Sequence, residues 1–558
     1  MSWILPPLTR YAALRTEQFI RRTHDPIAVQ DQFLKTLLRH YRHTARGQQY
    51  RLGELRSVDQ FRDRLPVTQY ADYASDIERM AAGDRNLLTP DPVRFLTLTS
   101  GTTGPRKWIP VTQRFKNALQ RASMVSFGFL LRELQAQHRP LGKALVTNSV
   151  QATGKTSAGI AYGLASTGSL RMSQLLAAPL FAHPFASLQI ADSRTRHYLC
   201  LLFSLRCRDL QSIAANFPML LLRTGRYLEE EAESLIRDLR TGTLSDDLQL
   251  TATERNSFQK KWFADTQRAH ELEQILHCNG RLTPQAAWPH LTLLSTARGG
   301  TSDFYFRRFP EYFGQTPIWG GVYGCSEATF GIAHALNEDG CILALDSGFY
   351  EFVPETEWDV KHPQTLLAPD VKIGDRYRIL VTNDAGFYRY DIGDVVEVVG
   401  FYAKTPLIVF RYRLGGQLNS TSEKTTEFHV VQVMNRLQEE FNVKLEDFCI
   451  TLSETDIPAH YWVNLELCPG SELSNSAVLL QRFDTLLQEE NGHYQVMRRD
   501  QVPPPGLRIL AQGSFESLRL RLKQRGIPEN QLKIPHISED RNLLNELKIV
   551  QQLIWSIM

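Results

Sequence analysis

Residues 96–110 read LTLTSGTTGPRKWIP. An apolar strand run breaks into Ser100, Gly101, Thr102, Thr103 and Gly104, and two cations, Arg106 and Lys107, follow. Glycine lets a backbone turn tightly and approach a ligand closely, while hydroxyl and main-chain N–H groups supply neutral donors to an anion. A flanking cation offsets negative charge there. The GxxxxGK[ST] spacing of a Walker A loop is absent, and the bland alternative to an anion-binding loop is an ordinary Ser/Thr/Gly connection between strand and helix.

The same texture recurs outward from this stretch. VRFLTLTSG (93–101), ALVTNSV (144–150), LTLLST (291–296) and TPIWGGVYG (316–324) are short apolar strands ending in Gly, Ser or Thr. Helical periodicity fills the intervals, as in TQRFKNALQRASMVSFGFLLRELQ (112–135). Strands alternating with helices predict an α/β domain with largely parallel pairing, whose ligands gather at the carboxyl ends of strands. Residues 15–85 read as mostly helical, and 342–410 as closely spaced strands forming an antiparallel sub-sheet. A Gly-rich polar segment, LGGQLNSTSEK (414–424), then precedes a compact α/β stretch. The expected architecture is a large domain over 1–410 with mixed sheets flanked by helices. A hinge at 411–416 and a small mobile α/β lid domain over 417–558 complete it.

Composition narrows the function classes. The chain has 558 residues, 42% apolar, too many for one ordinary core. Its 63 basic and 60 acidic residues give a net charge of +3, which argues against nucleic acid or a membrane surface as partner. Seven cysteines without a CxxC pair argue against a disulfide framework or a zinc site. MSWILPPLTRYAALRTEQF shows no basic n-region or cleavage site, and a cytoplasmic location is expected.

Three further segments carry chemistry. In GGVYGCSEATFG (320–331), Tyr323 suits stacking on a purine, Ser326 a phosphate bond, and Glu327 a magnesium ion. One carboxylate suffices for magnesium when the nucleotide's phosphates supply other ligands. The bland alternative is a buried tyrosine beside a loop glutamate. In AGFYRYDIGDVVEVVGF (385–401), Asp394 is expected in a Gly-Asp turn between strands, where its carboxylate can accept from ribose hydroxyls; an ordinary hairpin is the bland reading. In PENQLKIPH (528–536), a lone lysine reads first as a solvated surface charge, but Lys533 stands between apolar Leu532 and Ile534 before a proline, which suits a turn or strand edge. Phe127, Phe129, Tyr162 and Trp319 read first as core packing and second as walls of an acyl pocket.

Together the first three segments resemble the acyl-adenylate-forming superfamily, whose signatures are a TSGTTGxPK-like loop, a YGxTE-like segment and a TGD-like turn in that order. Within it the chain is similar to the auxin-responsive acyl acid–amido synthetases, the Gretchen Hagen family. PVTQYADYASDIERMAAGD (66–84), YRYDIGDVV (388–396), FRYRLGGQLNSTSEKTTE (410–427) and the pair QGSFESL (512–518) with NQLKIPH (530–536) carry that likeness.

The resemblance implies two steps. ATP and a carboxylic acid give an acyl-AMP, and an amino acid amine then displaces AMP. It also implies roles: Ser100, Thr102 and Thr103 on phosphates with Lys107 nearby, and Tyr323 and Ser326 on adenosine and the α-phosphate. Glu327 would hold Mg²⁺, Asp394 the ribose, and Lys533 the α-phosphate. Thr296 to Gly300 would line the nucleotide pocket. The chain departs from the family pattern at a loop one residue shorter, at Cys325, at Ser514 for Thr and at His536 for Arg. Two other functions share the nucleotide signatures: an acyl-CoA ligase, and a non-catalytic nucleotide-binding protein.

Overall fold

The computed structural model describes residues 5–99, 107–150, 154–163, 180–300, 302–414, 416–421, 423–524 and 532–555. Ser100, Gly101, Thr102, Thr103 and Gly104 of the expected phosphate loop, and Gly415 of the expected hinge, lie outside them. The chain divides into two units, one of residues 1–392 and 396–410, the other of 393–395 and 411–558. The division thus runs through the long strand Tyr390–Tyr402.

The first unit opens with helices, Leu5–Arg22 and Pro26–Tyr41 among them, and the Asp25 side chain caps the second at the Ala28 amide. The helix Ala74–Ala82 stops at Gly83, whose φ of 112° favours glycine. A parallel sheet orders Lys143–Val146, Leu210–Ala214, Leu293–Ser295 and Ile318–Trp319 side by side. Three of its four strands are the expected small-residue-terminated runs.

VRFLTLTSG does not join them. Val93–Thr99 pairs antiparallel with Lys107–Thr112, in register from Leu96 opposite Pro110 to Thr99 opposite Lys107. The expectation of parallel pairing fails here because only seven residues separate the two strands, and a parallel crossover needs a dozen or more.

The antiparallel sub-sheet is larger than expected. It has seven strands, ordered Phe349–Pro354, Arg376–Thr382, Tyr390–Tyr402, Thr405–Arg413, Cys341–Leu343, Thr329–Ala333 and Val322–Gly324. It therefore takes in GGVYGCSEATFG as a hairpin. The chain passes from the parallel sheet at Trp319 into this sheet at Val322 through Gly320 and Gly321, the latter at φ 68°. A side chain disfavours that backbone conformation, so the pair of glycines permits the sharp change of sheet.

The second unit holds a five-stranded sheet ordered Ile537–Ser538, Leu445–Leu452, Tyr461–Leu467, Gly506–Leu510 and Ile549–Ile554. Helices Glu427–Glu440, Ser476–Glu490 and Ser514–Gln524 belong to it. Thr426 caps the first at the His429 amide, and Glu466 accepts from the amides of Gly513 and Phe515 at the start of the last. A carboxylate is favourable at that end of a helix. Ser514, the departure from the family's Thr, is buried at this helix start. Among the described residues no helix is long and apolar enough to cross a membrane.

Candidate active site

Phe129 and Trp319 are core residues, and Phe127 packs on the same core. The Trp319 indole donates to Ser126 Oγ at 3.2 Å, and Ser126 donates onward to the Gly321 carbonyl at 2.9 Å. Ser126 lies on the helix Gln113–Ala136, so two hydrogen bonds tie that helix to the turn that aims Tyr323. These groups are buried, and leaving either bond unmade would cost ~1–3 kcal/mol.

Tyr323 sits opposite Gly331 in the hairpin. One face of its ring stacks on Phe330 at 5.2 Å, and the Phe410 ring lies 5.7 Å away. Phe410 also receives the Thr296–Gly300 segment: its carbonyl accepts from the Gly300 amide at 2.7 Å. A Cβ on Gly299 would come within 2.9 Å of that same oxygen, so the approach requires glycine. Thr296, next after the strand Leu293–Ser295, is 4% exposed, and its hydroxyl has no hydrogen-bond partner among the described residues. A buried hydroxyl without a protein partner is one that an ordered water or a bound ligand can satisfy.

Glu327 is 6% exposed at the bend of the same hairpin, and its main-chain carbonyl accepts from Asn383 Nδ2 at 2.8 Å. Ser326 is half-buried beside it. Lys107 begins the strand Lys107–Thr112, and its ammonium lies 5.2 Å from the centroid of the Tyr70 ring. The Tyr70 hydroxyl accepts from the Trp108 amide at 3.0 Å. Burial raises the Tyr70 pKa, and the charges of Glu78 and Glu327 raise it further. Lys107 and Tyr70 are thus neighbours, as are Tyr323 and the Thr296–Gly300 segment around Phe410.

Asp394 is not in a turn. It lies inside the strand Tyr390–Tyr402, and the chain reverses at Ala403 and Lys404 instead. The Gly-Asp pair does mark a local irregularity, since Gly393 has φ 81°. A Gly-Asp dipeptide reads as a hairpin turn, but within a strand the same glycine kinks the chain. The buried Asp394 carboxylate pairs with Arg413 at 2.6 Å. Both residues group with the second unit.

Lys533 also belongs to the second unit, between Leu532 and Ile534, which are 3% and 1% exposed. Its side chain is 38% exposed and its ammonium donates to Glu427 Oε2 at 3.1 Å. His536, the departure from the family's Arg, is fully buried.

A sequence profile described as "GH3 family N-terminal domain" matches residues 15–318, more than half of the chain. The chain belongs to the GH3 family. The "GH3 family central domain" matches residues 341–413 and the "GH3 family C-terminal domain" residues 428–542. The chain is similar to indole-3-acetic acid-amido synthetase GH3.4 of Arabidopsis thaliana, 26% identical, over 96% of this chain and 93% of that one. It is also similar to jasmonoyl–L-amino acid synthetase JAR4 of Nicotiana attenuata, 26% identical, covering 94% of each. Among solved structures, the GH3.15 acyl acid amido synthetase superposes with a TM-score of 0.83 at 26% identity, covering 95% of each chain.

In this GH3 protein, sequence reasoning missed three polar residues that the structure sets beside the motif side chains. Tyr70 stands in the quoted PVTQY segment, but an aromatic there carries no sign that it will face Lys107. Arg413 ends a strand and meets Asp394 only through sheet pairing. Glu427 closes the junction segment, and its 106-residue separation from Lys533 leaves no local signal.

Proposed function

We propose that the chain is an ATP-dependent acyl acid–amido synthetase, which adenylates a carboxylic acid and transfers the acyl group to an amino acid. The observation that carries this is the ordered match of all three GH3 domains, the last containing Lys533. The large domain is assigned to residues 1–410, the hinge to 411–416 and the small domain to 417–558.

A carboxylate is a poor electrophile because its leaving group would be oxide. In the first step a carboxylate oxygen attacks the α-phosphorus of ATP, and the bond to pyrophosphate breaks. In the second the amine nitrogen attacks the acyl carbon, AMP leaves, and the nitrogen loses a proton. Each of these residue roles is a proposal. Ser100, Gly101, Thr102, Thr103 and Gly104 cradle phosphates, with Lys107 adding positive charge. Tyr323 offers the ring face opposite Phe330 to the purine, and the Thr296 hydroxyl gains the partner it lacks. Ser326 bonds the α-phosphate, Asp394 the ribose hydroxyls, and Lys533 neutralises charge gathering at the α-phosphate. One preorganised donor in a dry site contributes ~3–4 kcal/mol.

The donor set suits magnesium. Glu327 is a single carboxylate, and among the described residues no group of three or more His, Cys, Asp or Glu side chains forms a metal cage. Mg²⁺ is typically held by one or two carboxylates with substrate phosphates. Bound on Glu327, it would supply Lewis-acid stabilisation of the phosphate charge.

The test is to incubate the protein with ATP, MgCl₂ and a panel of carboxylic acids that includes indole-3-acetic and jasmonic acids. One arm receives the twenty amino acids and the other CoA, and products are read by mass spectrometry. An N-acyl amino acid is expected. A thioester formed only in the CoA arm would make the chain an acyl-CoA ligase, and failure to bind ATP would make it a non-catalytic member of the fold.

A further inference from the structure

The Lys533 side chain is held by a built arrangement within the second unit. Glu427 is the first residue of the helix Glu427–Glu440, placed there by the Thr426 cap. Its two carboxylate oxygens have different partners. Oε2 accepts from Lys533 Nζ at 3.1 Å, while Oε1 accepts from the His536 main-chain amide at 3.2 Å and lies 3.3 Å from His536 Nδ1. One oxygen is therefore held by the His536 backbone amide beside its ring, and the other faces the ammonium.

His536 is itself immobilised. Its ring stacks on Phe448 at 4.3 Å with 11° between planes, and its Nε2 lies 3.3 Å from Asp447 Oδ1. Asp447 in turn accepts from Arg519 Nη2 at 2.6 Å. Charges alternate along the row from Lys533 through Glu427, His536 and Asp447 to Arg519. Asp447 and His536 are fully buried. Behind Lys533, Ile534 packs in a core with Phe515 and Leu518, so the backbone at this position is anchored as well.

A free lysine side chain samples many rotamers, and a rigid partner narrows them before a ligand arrives. An ammonium has three N–H donors, and among the described residues Glu427 engages one, so two are available to phosphate oxygens. We propose that Glu427, braced from behind by His536, is the positioning residue for Lys533, fixing its ammonium for the adenylation step. The inference rests on the reading of Lys533 as the α-phosphate cation, and it assigns the carboxylate and imidazole that direct it. Burial opposes the charge on Glu427, yet Lys533 and His536 outweigh it and hold its carboxyl well below the usual range, so the carboxylate is charged at neutral pH.

The experiment is a double-mutant cycle on the full chain. ATP–pyrophosphate exchange is measured with the panel acid giving the fastest wild-type exchange. K533A is expected to slow exchange about a hundredfold. E427Q should lower kcat about tenfold while the KM for ATP moves less than threefold, and E427D should recover most of the loss. Adding E427Q to K533A should cost nothing further, because a positioning residue acts only through the side chain it positions. Equal further losses in both backgrounds would make Glu427 structural and overturn the proposal. A rate at or above wild type in E427Q would also overturn it, since the carboxylate would then restrain Lys533. K533A at the wild-type rate would remove the underlying assignment, and the proposal with it. Should E427Q not fold, H536Q offers the same cycle with the carboxylate retained: a kcat loss in the wild-type background that vanishes in K533A is expected, and its persistence there would contradict the proposal.

Discussion

The Lys107 ammonium lies over the Tyr70 ring at 5.2 Å, joining the strand Lys107–Thr112 to a segment 37 residues earlier in the chain. Such a contact contributes about 0.5–1 kcal/mol when partly exposed. If Lys107 serves the phosphates, Y70F should leave the KM for ATP within twofold, because the ring remains. Y70A should raise it by about two- to fivefold, the free energy of that contact expressed as affinity. Initial-rate titration of ATP separates the two; equal KM values in both variants would show that the ring does not position Lys107.

Thr296 should trade stability for affinity. Its hydroxyl is buried without a protein partner among the described residues, so T296V removes a polar group and nearly keeps the shape. Unfolding by urea should show the nucleotide-free protein gaining ~1 kcal/mol. ATP binding, measured by calorimetry, should weaken at the same time. A loss of stability in T296V would mean that the hydroxyl is satisfied and does not await a ligand.

Glu327 offers the sharpest test of the metal reading. E327Q keeps the shape of the side chain and removes its charge. Acid-dependent pyrophosphate exchange should fall at least a hundredfold, in line with ~3–4 kcal/mol of transition-state stabilisation. Raising MgCl₂ should recover part of the loss if the carboxylate holds the ion. An exchange rate unchanged by E327Q would move the metal site elsewhere.

His536 should make stability depend on pH. Burial opposes its charged form, but hydrogen bonds to Asp447 and Glu427 and their charges prevail, and its pKa is raised. The group facing Asp447 from the other side is Arg519, and Glu427 also carries Lys533. A raised pKa stabilises the folded state fully below the unfolded value of about 6.5, and that contribution is lost as pH rises through the folded value. Urea midpoints of the wild type should therefore decline from neutral toward alkaline pH more steeply than those of H536Q. Parallel profiles would show that His536 keeps one protonation state across the range.

Much of this organisation is legible in the sequence, and the failures have physical causes. ALVTNSV, LTLLST and TPIWGGVYG gave the parallel strands because short apolar runs ending in small residues mark buried strands. VRFLTLTSG has the same texture yet pairs antiparallel, since pairing direction depends on the connection and not on the strand. The Gly393-Asp394 dipeptide reads as a turn, but the chain runs on through it and reverses ten residues later at Ala403. Lys533 was marked by its apolar neighbours Leu532 and Ile534. Its partner Glu427 was invisible, because a contact across 106 residues is made by the sheet and helices between them.

The central claim, that this chain activates a carboxylic acid as its adenylate, is tested most directly by ATP–pyrophosphate exchange without any amine acceptor. Radiolabel from pyrophosphate should enter ATP only when Mg²⁺ and an accepted acid are both present, and addition of an amino acid should divert the acyl group into an amide with release of AMP. Label entering ATP without any acid, or no exchange with any acid of the panel by a protein that binds ATP, would contradict it.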